Sequence, residues 1–78
     1  FDGLNGRQVA LLGHAIRHPG HLYTYEGHAA SNRVTHETAR SDLIDLAGRG
    51  LLARRGSRRP HRYEPPTDLP ERLKESGR

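Results

Sequence analysis

The sequence contains no cysteine, and this constrains the fold severely because the chain has only 78 residues. A chain this short builds a single thin core, which small proteins often reinforce with disulfides or a bound metal. Without thiols, disulfides, thiolate metal sites and cysteine nucleophiles are all excluded. We therefore expect one domain held together by well-packed helices.

The chain has little apolar surface to bury, since 32% of its residues are hydrophobic. No stretch approaches the ~20 apolar residues that span a bilayer, and no positively charged start followed by an apolar stretch indicates a signal peptide. We expect a cytoplasmic protein without a membrane partner. The chain begins at Phe1 and contains no methionine, so we expect a fragment of a longer protein.

Residues 4–18 have the spacing of a helix, because apolar side chains recur every three or four positions. Asn5 is the expected N-cap, and Gln8 stands at the capping-box distance from it. Pro19 and Gly20 end the helix. The predicted apolar stripe consists of Val9, Leu11, Leu12, Ala15 and Ile16.

Two further helices follow, separated by a tight turn at Arg33 and Val34. Thr24 caps the second helix, over residues 25–32, after a strand stub at residues 22–24. The third helix begins after its N-cap Thr35 and ends at residues 48–50. Its apolar spacing comes from Ala39, Leu43 and Leu46. Two short helices joined in this way predict a helix-turn-helix.

After the third helix, the pattern changes from helical to extended. Residues 51–55 and 61–64 are predicted strands, joined by the Gly- and Pro-containing loop 56–60. The order of elements is that of a winged helix, so we predict a mainly α fold with a small β-hairpin (α+β), in which a three-helix core carries a wing. The predicted winged-helix domain covers residues 1–66. Residues 67–78 form either a tail or a short helix.

Positive charge is concentrated in the hairpin. The net charge is +4, and the stretch between Asp45 and Glu64 contains no acid. Guanidinium groups fork onto phosphate oxygens or a guanine edge, so this stretch is a candidate anion-binding surface; a solubilising surface is the alternative. Its arginines are Arg49, Arg54, Arg55, Arg58, Arg59 and Arg62.

The start of the third helix completes the predicted site. Helix N-termini favour phosphates, so Thr35 and His36 are the expected contacts with the DNA backbone. The next turn of such a helix reaches base edges. Arg40 is the expected base-contacting residue, and Glu37 either accepts from cytosine or pairs with Arg40. The predicted interface with double-stranded DNA consists of Thr35, His36, Glu37, Arg40, Ser41, Arg54, Arg58, Arg59 and His61.

Residues 34–46 (V-T-H-E-T-A-R-S-D-L-I-D-L), followed by Gly50, Leu51 and Leu52, resemble the V-S-x-x-T-x-R-x-D-L-x-x-L…G-x-L pattern of DeoR-like winged helices. The chain is most similar to the C-terminal winged-helix module of Fic-family proteins. That module opens on leucine-asparagine-x-arginine-glutamine, as at residues 4–8, and closes on a basic hairpin ending in Tyr, as at Tyr63. The resemblance implies a DNA-binding module attached to an AMP-transferring catalytic domain of the same parent chain.

This sequence departs from those patterns at two points. The second of two consecutive arginines is replaced by Ser41. The Fic signature H-P-F-x-[DE]-G-N-G-R is absent, since His18 and Pro19 share only its first two letters. We therefore expect no catalysis within this chain and no cofactor.

Two other interpretations compete with DNA binding. His14 and His18, followed by His21 and His28, have the spacing of metal ligands, but no cysteine or carboxylate accompanies them, and we predict no metal site. A winged helix also serves protein interaction, as a homodimer or against the parent's catalytic domain. The acidic residues Glu37, Asp42 and Asp45 favour this second interpretation, and an exposed apolar patch on the first helix or on the tail would support it.

Overall fold

The computed structural model describes residues 3–56 and 62–76. These residues form four helices and a small antiparallel sheet, which confirms the mainly helical α+β class. No helix in the described ranges has the length and apolarity needed to cross a membrane. The elements are α1 (Gly6–Arg17), α2 (Tyr25–Asn32), α3 (His36–Gly48), β1 (Ala53–Arg55), β2 (Arg62–Glu64) and α4 (Leu69–Ser76).

Helix α1 begins with the predicted capping box. The Asn5 side chain accepts from the Gln8 amide at 2.9 Å, and the Gln8 side chain accepts from the Asn5 amide at 3.0 Å. The buried face of α1 contains Gln8, Leu11, Leu12 and Ala15. The predicted stripe is wrong at Val9 and Ile16, which are 44% and 46% exposed. Each follows a buried residue by one position, which turns it about 100° away from the core.

Helices α2 and α3 have the predicted boundaries. The Thr24 hydroxyl accepts from the Gly27 amide at 3.0 Å, and the Thr35 hydroxyl accepts from the Thr38 amide at 3.1 Å. Between the two helices, Arg33 adopts the left-handed conformation with φ of 53°. The turn is therefore as tight as the sequence predicts. The inward face of α3 contains Ala39, Asp42, Leu43 and Leu46.

The first strand is shorter than predicted. Gly50 takes a φ of +77° at the end of α3, and the chain then bends so that Leu51 and Leu52 enter the core. Strands β1 and β2 pair in antiparallel register, with Arg54 opposite Tyr63. The predicted strand stub is confirmed as a bridge between Tyr23 and Tyr63. The loop residues 57–61 lie outside the described ranges.

Helix α4 completes the core. Leu69 and Leu73 are buried in the same cluster as the leucines of α1 and α3. The Arg72 guanidinium donates to the Gly50 carbonyl at 2.8 Å and ties α4 to the end of α3. Within the segment predicted as a tail or a short helix, residues 69–76 are helical. The core includes a fourth helix that the predicted three-helix core lacks.

Candidate nucleic-acid interface

A groove of about 1080 Å³ lies between α3, the start of α2 and the sheet. Helix α3 forms one wall. It contributes His36, Arg40 and Ile44, which are four residues apart and therefore lie on one face of the helix, one turn after another. The sheet forms the opposite wall. We call this the α3–sheet groove, and its lining consists of Thr24, Tyr25, Glu26, His36, Arg40, Ile44, Ala47, Gly48, Arg54, Arg62 and Tyr63.

Positive charge dominates the groove. The guanidinium groups of Arg40, Arg54 and Arg62 come from separate elements, and all three residues are exposed. Among the described residues, none of the three forms an ion pair with a carboxylate. The acid in the lining is Glu26. The groove therefore carries an excess of unpaired guanidinium charge, which attracts anions.

Two tyrosines join the start of α2 to the sheet within the groove. The hydroxyl oxygens of Tyr25 and Tyr63 are 2.7 Å apart. Burial and the hydrogen bond with Tyr25 raise the pKa of Tyr63 to about 12, although Arg54 and Arg40 act in the opposite direction. The Tyr63 hydroxyl thus keeps its proton at neutral pH. The Tyr25 ring also meets His36 edge-on, with ring centroids 5.8 Å apart.

The structure brings together only part of the predicted site. His36, Arg40 and Arg54 line the groove, whereas Glu37 and Ser41 are exposed on α3 outside its lining. Among the described ion pairs, none joins Glu37 to Arg40.

Thr35, a predicted phosphate contact, uses its hydroxyl as the cap of α3 and also donates to the Thr38 hydroxyl at 2.9 Å. Arg58, Arg59 and His61 lie outside the described ranges.

Asp42 is not the surface acid that the sequence suggests. It is 4% exposed and accepts hydrogen bonds from Arg7 Nε at 2.8 Å, from Asn5 Nδ2 at 2.9 Å and from His28 Nε2 at 2.9 Å. Burial acts to raise the pKa of Asp42, but the bonds from Arg7, Asn5 and His28 outweigh it and lower this pKa to about 2. Asp42 therefore links α1, α2 and α3, and it does not face the groove.

Other charged residues of the predicted surface are paired. Arg49 donates to Asp45 and Arg55 donates to Glu64, each at 3.1 Å. Gln8 also donates to Asp45 at 2.9 Å, and together with Arg49 it lowers the pKa of that carboxyl. Consecutive residues of a strand face opposite sides, so Arg54 lies in the groove while Arg55 reaches Glu64. Two arginines of the acid-free stretch are thus engaged outside the groove.

Sequence reasoning missed the tyrosines and Ile44 as groove residues. Ile44 is 42% exposed, and its position four residues after Arg40 was the available signal. The pairing of Tyr63 opposite Arg54 depends on the strand register, and the Tyr25 hydroxyl reaches it across 38 residues of sequence. Neither relation has a local signature.

The four histidines considered as metal ligands divide between two places. The His14 ring lies 4.5 Å from that of His18 and 4.8 Å from that of His21, centroid to centroid, while His28 belongs to the Asp42 network. Burial first, and then the neighbouring His18 and His21, lower the pKa of His14. No group of three or more potential ligands in the described part of the chain is arranged to hold a metal ion.

Comparisons of the chain with protein-family models, with curated proteins and with solved structures return no match. What the protein does is therefore inferred from the geometry and charge of the α3–sheet groove.

Proposed function

We propose that the chain is a winged-helix module that binds double-stranded DNA through the α3–sheet groove. The observation that carries this proposal is the set of three guanidinium groups, on Arg40, Arg54 and Arg62, that lack carboxylate partners among the described residues. Guanidinium forks match phosphate oxygens and the guanine edge. In this proposal α3 is the recognition helix and the hairpin is the wing.

The orientation of α3 supports the proposal. Its N-terminal turn carries the positive end of the helix dipole, and His36 stands in that turn. Arg40 follows one turn later and is exposed in the same groove. Phosphate contacts at the first turn would position Arg40 to reach a base edge.

The resemblance to DeoR-like winged helices agrees with this function and extends it. We propose that the module is the C-terminal domain of a Fic-family protein acting in the cytoplasm. A catalytic domain of the same parent chain would transfer AMP, and this module would bring that domain to DNA. In this proposal, none of the 78 residues of this chain takes part in catalysis.

DNA binding is tested by fluorescence anisotropy with labelled random-sequence duplex at about 50 mM and about 200 mM salt. We expect binding that weakens as salt rises, because displaced counterions drive it. Arg40→Ala should weaken binding about tenfold at low salt, through loss of a charge-assisted hydrogen bond, and should lower the salt slope by ~0.9. Arg17→Ala is the matched control, since Arg17 is exposed on α1 outside the groove.

Two results would contradict the proposal. One is a wild-type protein that binds no duplex at low salt. The other is an Arg40→Ala variant whose affinity and salt slope equal those of Arg17→Ala, since loss of charge would then matter equally inside and outside the groove.

A second candidate function is supported by the outer face of α1. Val9 and Ile16 are 44% and 46% exposed, and they lie two turns apart on one side of the helix. A Cβ built at Gly6 or Gly13 would meet no atom within 4 Å, so a partner could approach this face closely. We propose homodimerisation through α1 as the alternative role.

Homodimerisation is tested by sedimentation velocity over a range of protein concentrations. Val9→Glu with Ile16→Glu should abolish a dimer of the wild-type chain without unfolding it, because both positions face solvent. A wild-type chain that remains monomeric at every concentration would exclude this role.

A further inference from the structure

A second cavity, of about 400 Å³, lies between α1, α2 and the segment that joins them. Ligand sites in proteins commonly have volumes of ~300–1000 Å³. Among the described residues, this cavity shares only Thr24 with the α3–sheet groove, so it is a separate place on the protein. We call it the histidine cleft, and its lining includes Arg7, Ala10, His14, His21, Leu22 and Tyr23.

His14 lies at the centre of a group of aromatic rings beside the cleft. Its ring centroid is 4.5 Å from that of His18, 4.8 Å from that of His21 and 5.8 Å from that of Tyr23. The Nδ1 atom of His14 lies 2.7 Å from the Tyr23 hydroxyl. Its Nε2 atom, and both ring nitrogens of His21, have no hydrogen-bond partner among the described residues. When protonated, both rings therefore have N–H groups to offer to a ligand.

The surroundings of His14 favour a bound anion. In the described part of the chain, no carboxylate lines the cleft. Burial first, and then the neighbouring His18, His21 and Arg17, lower the pKa of His14, because each of them disfavours a positive charge on the ring. An anion between the rings would offset this repulsion and would make protonation of an imidazole favourable.

The opposite part of the cleft adds a guanidinium group. Arg7 donates to the buried Asp42 through Nε and Nη2, at 2.8 Å and 3.2 Å. His28, which also lines the cleft, is bonded to the same carboxylate at 2.9 Å. Arginine has five N–H groups, so three of those of Arg7 have no acceptor among the described residues. Asp42 balances the charge of Arg7 but leaves these donors for a ligand.

Apolar side chains limit the kind of anion that fits. Leu22 is 36% exposed, Ala10 is exposed, and both line the cleft. A fully hydrated inorganic ion would gain nothing from these side chains, whereas a hydrocarbon part would lose contact with water there. The complementary ligand therefore combines a short hydrocarbon part with acceptor oxygens that carry negative charge.

We propose that the histidine cleft binds a small organic carboxylate. Its oxygens accept hydrogen bonds from His14, His21 and Arg7. Its hydrocarbon part packs against Leu22 and Ala10. One imidazole is protonated in the complex, so binding takes up a proton. This site is independent of the proposed DNA-binding function, and either can fail without the other.

The first measurement is a titration with sodium butyrate at constant ionic strength, followed by NMR of the imidazole signals. We expect saturable shifts of His14 and His21. Butyramide has the same size without the charge and should cause no saturable shift. Acetate lacks two methylene groups and should bind about tenfold more weakly than butyrate. Equal affinity for butyrate and butyramide, or no saturable shift with butyrate, would overturn the proposal.

The pH dependence tests the protonated imidazole. Affinity for butyrate should rise as pH falls from about 8 to about 6, by up to tenfold per pH unit, because the complex takes up a proton. In saturating butyrate, the NMR titration of His14 or His21 should move to higher pH. An affinity that is constant over this range would contradict the proposal.

Variants locate the site. His21→Gln should weaken butyrate binding about tenfold, since a hydrogen bond to a charged group is lost. His21 is exposed, so this variant should remain folded, which thermal melting checks. Arg55→Gln is the matched control, because it also removes a positive charge but lies outside the cleft. Equal butyrate affinity in the two variants would show that overall charge, and not the cleft, attracts the anion.

Discussion

Helix α3 carries two charged residues, two positions apart, with opposite fates. Asp42 faces the core and accepts hydrogen bonds from α1 and α2. Arg40 faces the groove and forms no ion pair with a carboxylate among the described residues. A buried charge persists only when it is fully compensated, whereas an exposed charge without a partner remains available for a ligand. We therefore distinguish an inner charge, Asp42, which stabilises the fold, from the outer charges of Arg40, Arg54 and Arg62, which remain available to a ligand.

The largest test of this contrast removes the inner charge. Asp42→Ala leaves Arg7, Asn5 and His28 without their common acceptor, and we expect a loss of about 3–5 kcal/mol in the free energy of unfolding. Urea denaturation measures it. Glu64→Ala is the control, because it breaks only the exposed pair with Arg55 and should cost less than ~1 kcal/mol. An equal loss of unfolding free energy in Asp42→Ala and Glu64→Ala would show that the buried charge contributes no more to stability than an exposed one.

Acid should act on the same residue through its ionisation. The pKa of Asp42 is held at about 2, below its ordinary 3.8, so the unfolded chain takes up this proton first as pH falls. The associated stability is complete above about pH 5 and is lost as pH falls toward 2, with a total of about 2 kcal/mol. Urea unfolding between pH 6 and about pH 2 measures it.

An Asp42→Asn variant provides the reference for the acid experiment, because it cannot titrate at this position. Its stability should fall less steeply over the same range. Parallel curves for the two proteins would show that other carboxyls dominate acid unfolding.

Thr35 provides an intermediate test, since it was predicted as a phosphate contact but caps α3. Thr35→Ala should lower the free energy of unfolding by ~1 kcal/mol. Thr35→Ser keeps the hydroxyl and should restore most of this stability. Both variants should keep the wild-type salt slope for DNA binding. A slope that is reduced in Thr35→Ala alone would indicate that Thr35 contacts the DNA after all.

The smallest expected effect on stability belongs to the outer charges. The triple variant of Arg40, Arg54 and Arg62 to Ala should change the free energy of unfolding by no more than ~0.5 kcal/mol, because these side chains have no carboxylate to lose in the described part of the protein. Urea denaturation measures it alongside the loss of DNA binding. Strong destabilisation would show that the groove arginines belong to the fold.

Local signals predicted the helices well. Each cap, at Asn5, Thr24 and Thr35, is recognisable from its own residue type, and at Asn5 the capping-box residue Gln8 adds a second signal. The spacing of residues along α3 also indicated that Asp42 is buried, although an aspartate is normally expected at the surface. Asp42 follows Ala39 by three positions and precedes Leu46 by four, so it lies on the buried stripe of α3.

The groove could not be predicted in the same way. Its walls come from segments far apart in sequence, and only the register that sets Arg54 opposite Tyr63 and the bridge from Tyr23 bring them together. The burial of Leu69 and Leu73 has the same origin. The spacing of Leu69 and Leu73 is compatible with a helix. Whether that helix packs or frays depends on its contacts with the other helices, which the local sequence does not contain.

The position of α4 has a consequence for the order of folding during synthesis. Domains emerge from the ribosome N-terminus first, at roughly 5–20 residues per second. The capped helices α1, α2 and α3 are therefore available early, but Leu69 and Leu73 arrive only after the hairpin has been made. Until then, the apolar face that they cover is open to water and to other nascent chains. This small domain closes its core with one of its latest segments.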